Sequence, residues 1–270
     1  MSNTIKIKRL FALVISLLCI TLHAQERAVV DNNSVDLYIT KEAASTILYI
    51  PGCSGLDNFG KKYQEFHRSK FKEIWPEANI VISQYVNDYT QGSVDGRCDW
   101  KGSDPRLQGK QSFDQAVHTI KIANWIKQQP WSNGVVHLFG FSWGGRVGLW
   151  LPGDIRGNAE VFKSVALIWP DCRPTDKLTA GVLHTPTRIW ATEEDPLSVP
   201  TNCPTFYTGD KSKLTLKLFP GNNHSWFDGP FFQPFNRYWP VQKVWVRHAF
   251  NQEWTDQTFV AWKKWIDKVQ

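Results

Sequence analysis

The sequence predicts a three-layer α/β/α sandwich built on a mostly parallel sheet, and three observations carry that expectation. Short runs rich in β-branched residues alternate with helical runs along the 270-residue chain. These short runs read as strands buried on both faces and separated by helices, which argues for a mostly parallel sheet covered on both sides. No internal repeat, low-complexity tract or linker divides the chain, so one domain is expected.

The first 24 residues stand outside this pattern. MSNTIKIKRL carries Lys6, Lys8 and Arg9, FALVISLLCITL is an apolar run of signal-sequence length, and LHA places Ala24 before a cleavage point. The run falls short of the ~20 apolar residues of a membrane span. Residues 1–24 therefore read as a signal peptide and residues 25–270 as a single exported domain, periplasmic or secreted. Removing the leader takes three positive charges from a formal net charge of +6. What remains is too mild, and too little clustered, to suggest nucleic acid or an anionic membrane as partner. Cys53, Cys98, Cys172 and Cys203 then remain, an even set that in an exported chain suggests two disulfides with three pairings open. None forms a C-x-x-C pair, so zinc or redox chemistry is not expected.

Within the domain, VDLYIT (35–40) is a weak strand placed at an edge, and STILYI (45–50) a stronger one. FGKKYQEFHRSKFKEIW (59–75) is helical, with Tyr63, Phe66, Phe71 and Ile74 roughly along one face. NIVISQYV (79–86) is the next strand. The polar stretch at 88–108 follows it, and long irregular loops in compact domains are often binding loops or lids. Arg97 and Arg106 are its candidates for holding a substrate carboxylate. SFDQAVHTIKIANWIKQQP is the clearest helix, opened by a Ser112–Gln115 capping box and stopped at Pro130. Strands at 134–140, 164–170, 185–192 and 214–220 complete the sheet. The stretch at 226–245 is a candidate cap over a site, through Trp226, Phe231, Phe232 and Tyr238. A last amphipathic helix (255–269) turns Phe259, Trp262 and Ile266 inward. Most of the 14 tryptophans read as packing, with an aromatic-lined pocket as a further expectation.

Chemistry first shows at HLFGFSWGGRVG (137–148). Gly140-Phe141-Ser142-Trp143-Gly144 fits G-x-S-x-G between a strand and a helix with no breaker before Pro152. Such an elbow holds its serine in a strained conformation, and its flanking positions come too close to neighbouring backbone for a Cβ. A serine hydroxyl needs a base. His224, in LFPGNNHSWFDGP directly after the last strand-like run, is placed for that role, because doubly wound sheets put functional groups beyond the carboxyl ends of their strands. His118 reads as solvated, His137 as packed inside its strand, and His67, His184 and His248 have no supporting pattern. The acid should lie between serine and histidine. ATEEDPLSVP supplies Asp195, with Glu194 as the alternative. Two backbone N–H donors for an oxyanion are expected from Trp143 and from Cys53, with Ser54 next after Cys53.

YIPGCSGLD, GFSWGG, TEEDPLSVP followed by Cys203, and FPGNNHSWFD, in that order, resemble the dienelactone hydrolase family of the α/β-hydrolase superfamily. The C-terminal AFNQEWTDQTFVAWKKWI is similar to that family's closing helix, so the likeness runs from about residue 45 to 266. The resemblance implies the α/β-hydrolase fold, no metal or cofactor, and hydrolysis of small-molecule ester or lactone bonds. It departs from the founding members in having serine where they use cysteine, in a P-G-C start to the early loop, and in an exported location. The serine favours a general carboxylesterase over a dienelactone hydrolase in the strict sense. A peptidase on the same fold and a non-catalytic binding protein for a glycan or other ligand are the rival readings.

Overall fold

The computed structural model describes residues 26–40, 42–52, 58–84, 105–173, 179–231, 233–239 and 243–269. The signal-peptide expectation, Cys53 and Cys98, and most of the polar stretch at 88–108 lie outside them. The described strands are β1 (Glu26–Val30), β2 (Asn33–Tyr38), β3 (Ala44–Ile50), β4 (Asn79–Ser83), β5 (Ser132–Phe141), β6 (Ser164–Ile168), β7 (Gly181–Val182), β8 (Thr187–Thr192), β9 (Tyr207–Thr208), β10 (Leu214–Phe219), β11 (Phe235–Trp239) and β12 (Val244–His248). The helices are α1 (Asn58–Ile74), α2 (Pro105–Lys127), α3 (Trp143–Gly148) and α4 (Gln252–Val269), with a 3₁₀ segment at Pro200–Phe206.

Eight strands form one sheet in the order β1-β2-β4-β3-β5-β6-β8-β10. From β4 to β10 every pairing is parallel, and β1 and β2 complete the sheet in antiparallel fashion. Alternation along each strand sends successive residues to opposite faces. Leu48, Ile50, Leu138 and Leu167 face one core layer with Ala116, Ile120 and Ala123 of α2. Ile47, Tyr49, Phe139 and Ile168 face the other, with Phe71 of α1 and Phe259, Trp262 and Ile266 of α4. Burial on both faces is why these runs carry few polar residues. The second layer is largely aromatic: Phe71 meets Phe139, Phe259 and Trp262 at ring-centroid distances of 4.9, 5.6 and 5.4 Å.

Three local expectations change. The weak strand at 35–40 is not an edge, because β1 pairs along its outer side, Val35 opposite Ala28, and Arg27 Nε donates to Asp36 at 2.8 Å. The Ser112–Gln115 pair does not open a helix. α2 already begins at Pro105, whose missing N–H and fixed φ suit a first helical position. Both polar side chains instead satisfy buried indoles: Trp150 Nε1 donates to Ser112 Oγ at 2.9 Å and Trp143 Nε1 to Gln115 Oε1 at 2.7 Å. His118 is half-buried and pairs with Asp31 at 3.0 Å rather than facing water alone.

Candidate active site

Three strand ends build the site. At the end of β5 the chain turns through Ser142 with φ 53° and ψ −115°. A non-glycine residue held there costs on the order of 1–3 kcal/mol, which the surrounding packing must offset. Ser142 N–H donates to Ile168 O at 3.0 Å, and Ser142 O accepts Arg146 N–H at 2.9 Å to open α3. The glycines are required by contact. A Cβ on Gly144 would lie 2.1 Å from Ile50 O, and one on Gly140 2.5 Å from Gly144 O. The two aromatics anchor the turn in opposite layers. Phe141 packs edge-on against His67 (5.0 Å) and Trp169 (4.9 Å) on one side of the sheet. Trp143 is buried on the other side and held by Gln115. α3 stops at Gly148, sooner than the absence of a breaker before Pro152 suggested.

Beyond β8, Asp195 is 2% exposed whereas Glu193 and Glu194 face solvent. Asp195 Oδ1 accepts N–H bonds from Leu197 (2.9 Å) and Ser198 (3.2 Å), and Oδ2 meets His224 Nδ1 at 2.6 Å. A carboxylate only accepts, so Nδ1 carries the proton and Nε2 keeps its lone pair. The acid loop is pinned from beneath. Ser198 Oγ donates to Pro170 O at 2.6 Å, Cys172 N–H to Ser198 O at 2.8 Å, and a disulfide joins Cys172 to Cys203. That disulfide resolves one of the pairings the sequence left open.

Beyond β10, His224 N–H donates to Arg247 O at 3.0 Å, which ties the histidine loop to β12. Asn223 is the hub of this attachment. Its Nδ2 donates to Ala249 O (2.5 Å), its Oδ1 accepts from Ala249 N–H and Ser225 N–H (both 3.1 Å), and its own carbonyl accepts from Thr192 Oγ1 (3.1 Å). Trp169, just past β6, forms the wall between the parts, 4.9 Å from the Phe141 ring and 5.3 Å from the His224 ring. The structure thus couples His224 to Asp195, and the Trp169 indole touches both the His224 ring and Phe141, the residue before the half-buried Ser142. Among the described residues, no hydrogen bond joins Ser142 Oγ to His224 Nε2.

Of the proposed oxyanion donors, Trp143 occupies the first position of α3, and Cys53 and Ser54 lie outside the described residues. Gly52, the last described residue before them, is packed so that a Cβ on it would lie 3.0 Å from Ser142 Cβ. Arg97 lies outside the described residues, and Arg106 falls in the first turn of α2 with its side chain outside them. Of the candidate cap residues, Trp226 is fully buried against Trp169 (5.5 Å) and Phe219 (4.8 Å), so it belongs to the core. Phe231 packs on Tyr63 (6.0 Å) and Phe66 (5.9 Å), Tyr238 is exposed on the β11–β12 hairpin, and Phe232 lies outside.

Several residues around the site had no signal in the sequence. His67 is fully buried, and its Nε2 lies 2.9 Å from Phe227 O, which can only accept. Nε2 is therefore the N–H, and Tyr49 O–H donates to Nδ1 at 2.7 Å. This chain bridges β3, α1 and the histidine loop, and burial pushes the imidazole pKa down to about 4. Asp228, four residues after His224, is buried, and desolvation raises its carboxyl pKa to about 7 against the opposing pulls of Ser225 and His224. His137 is buried as expected, 2.7 Å from Ser164 Oγ. Among the described residues, no group of His, Cys, Asp or Glu is arranged to hold a metal ion, and no helix is long and apolar enough to cross a membrane.

No protein-family model matches the sequence, and no curated protein matches it. Solved structures do match over most of its length. A candidate dienelactone hydrolase from Klebsiella pneumoniae superimposes with a TM-score of 0.61 at 12% identity, covering 90% of this chain and 97% of that one. A dienelactone hydrolase-like promiscuous phosphotriesterase from metagenomic libraries does so with a TM-score of 0.58 at 10% identity, covering 91% and 98%. A thermostable carboxylesterase cloned from a metagenomic library gives 0.56 at 12% identity, covering 89% and 88%. Together with the sheet order, these likenesses show that the chain has the α/β-hydrolase fold.

Proposed function

We propose that the protein is an exported serine hydrolase that cleaves small-molecule carboxylic ester or lactone bonds through Ser142, His224 and Asp195. The observation that carries the reading is the 2.6 Å contact between a buried Asp195 carboxylate and His224 Nδ1, in a chain that also holds Ser142 at positive φ on an elbow at the end of β5. A buried carboxylate coupled to an imidazole fixes the ring's tautomer and stabilises its charged form, which is what a general base beside a weak nucleophile requires. Esterase and hydrolase structures on the same fold support the class of reaction.

In the first step Ser142 Oγ attacks the carbonyl carbon while His224 Nε2 takes its proton. The hydrogen bond from Ser142 Oγ to Nε2 forms as substrate binds, as catalytic hydrogen bonds that are long in the free enzyme do. Charge moves to the carbonyl oxygen, where the backbone N–H groups of Trp143 and Cys53 receive it. The tetrahedral adduct collapses, His224 protonates the departing alcohol, and an acyl-serine remains. Water, giving a proton to His224, then releases the acid and restores the serine. None of these steps requires a cofactor. The disulfide between Cys172 and Cys203 agrees with export, because disulfides persist in oxidising compartments. The test compares p-nitrophenyl butyrate with a peptide p-nitroanilide on the wild type and on Ser142→Ala. Ester turnover lost in the variant supports the reading. Equal turnover in the variant, or preference for the anilide, overturns it.

A further inference from the structure

The sheet face beneath α4 carries positive charge that, among the described residues, no neighbouring side chain neutralises. β8 and β10 run parallel with Arg188 opposite Thr215 and Trp190 opposite Lys217, so Arg188, Trp190, Lys217 and Phe219 project from one side of the pleat. α4 lies over that side through Gln257 and Ala261, and the space between forms a groove of about 330 Å³. That volume is within the ~300–1,000 Å³ of small-ligand sites. β10 is the last strand of the sheet, so among the described residues no further strand closes the groove's outer side.

Arg188 makes one long bond, Nη1 to Ala261 O at 3.4 Å, and its guanidinium lies 5.1 Å from the Trp265 ring. Its Nε is buried without a partner, a costly state for a charged donor. Lys217 Nζ stands 5.7 Å from the Phe219 ring. Among the described residues neither cation has an ion-pair partner. The carboxylates of α4 are engaged elsewhere: Glu253 accepts from Gln257, Asp256 pairs with Lys70, and Asp267 pairs with Lys263. Two like charges set diagonally on one sheet face repel, and an anion between them relieves both that repulsion and the orphaned donor. The groove is also lined by Trp190 and Phe219, whose rings favour a flat apolar body over a small inorganic ion.

We propose that this groove is a second binding site, distinct from Ser142, for a small organic carboxylate with a flat apolar body. The carboxylate bridges Arg188 and Lys217, and the body lies against the aromatic wall. The site does not depend on the hydrolase reading.

Benzoate is the probe, with neutral benzamide and inorganic phosphate as comparators, titrated into the full chain by calorimetry and ligand-observed NMR. The expected result is saturable benzoate binding in the millimolar range or tighter, with no saturable binding of benzamide or phosphate. Lys217→Gln and Arg188→Gln should each weaken it by on the order of tenfold or more, the loss of one charged partner, while Ser142→Ala leaves it unchanged. Lys217 is exposed, so its variant keeps the test valid should Arg188→Gln not fold. Absence of saturation, phosphate or benzamide binding as tight as benzoate, or benzoate binding insensitive to Lys217→Gln would each overturn the proposal.

Discussion

Replacing Asp195 by Asn changes one atom and should disable the base without disturbing the fold. The carboxylate does two jobs: Oδ1 accepts from the N–H groups of Leu197 and Ser198, and Oδ2 accepts from His224 Nδ1. An amide can keep only one of them. With its oxygen toward the two backbone donors it retains both bonds, each worth ~1 kcal/mol net. The flipped orientation would bury three donors against one another. The first orientation therefore wins, and it aims an NH₂ group at His224 Nδ1. The ring can then only accept at Nδ1, so its proton moves to Nε2 and the lone pair that the mechanism requires there is gone. A wrong tautomer of this kind costs a serine hydrolase about 10⁴ in kcat, or ~5 kcal/mol of transition-state stabilisation. The assay is kcat/KM on p-nitrophenyl butyrate at neutral pH, with a thermal melt to confirm that the isosteric variant is folded. A folded variant that loses less than about tenfold would refute this account of the tautomer.

Three further outcomes follow from particular contacts. Gly144→Ala, which on helix propensity alone would stabilise by ~1 kcal/mol, should instead destabilise by ~3 kcal/mol or more, because the new Cβ meets the Ile50 carbonyl. A urea midpoint at or above that of the wild type would contradict it. The double variant Cys172→Ser with Cys203→Ser opens a bridge spanning 31 residues and should cost ~3–4 kcal/mol of stability on the chain-entropy estimate, read from the same denaturation curve; an unchanged midpoint would show that the disulfide does not hold the acid loop. Asp228 is raised from 3.8 to about 7 by burial, so the folded state favours its protonated form. The stability this contributes is present below the unfolded pKa and is lost as pH rises through about 7. Asp228→Asn, a mimic of the protonated acid, should therefore be more stable than the wild type by up to ~4 kcal/mol at alkaline pH and show little difference near pH ~4. An equal difference at both pH values would rule this out.

The parallel core of the sheet was legible because burial on both faces keeps β3, β5 and β6 largely apolar. β1 left none, since Glu26 and Arg27 are exposed and its strand character comes from pairing with β2. The start of α2 was hidden by a false cap: Ser112 and Gln115 have the spacing of a capping box but serve two indoles contributed by a distant segment. Spacing along a chain cannot show that use. For the site, the His224–Asp195 pair was readable because both residues follow strand runs. That Asp195 rather than Glu194 meets His224 depends on which side chain the turn buries, which the chain order does not show. Trp226 reads as a cap residue from its loop position, yet it fills the space between Trp169 and Phe219, a matter of three-dimensional packing. Trp169 carries no motif, and Asn223 lies in FPGNNHSWFD without its anchoring role showing there; both places become visible only once three strand ends are assembled.

The central claim is that Ser142 is an activated nucleophile. Intact-mass analysis of the folded protein after brief exposure to a fluorophosphonate, followed by peptide mapping, measures this directly. A single adduct on the peptide bearing Ser142, formed rapidly, slowed strongly by His224→Ala and absent in Ser142→Ala, is the predicted result. A folded wild type that takes up no label, or takes it up at another residue, would contradict it.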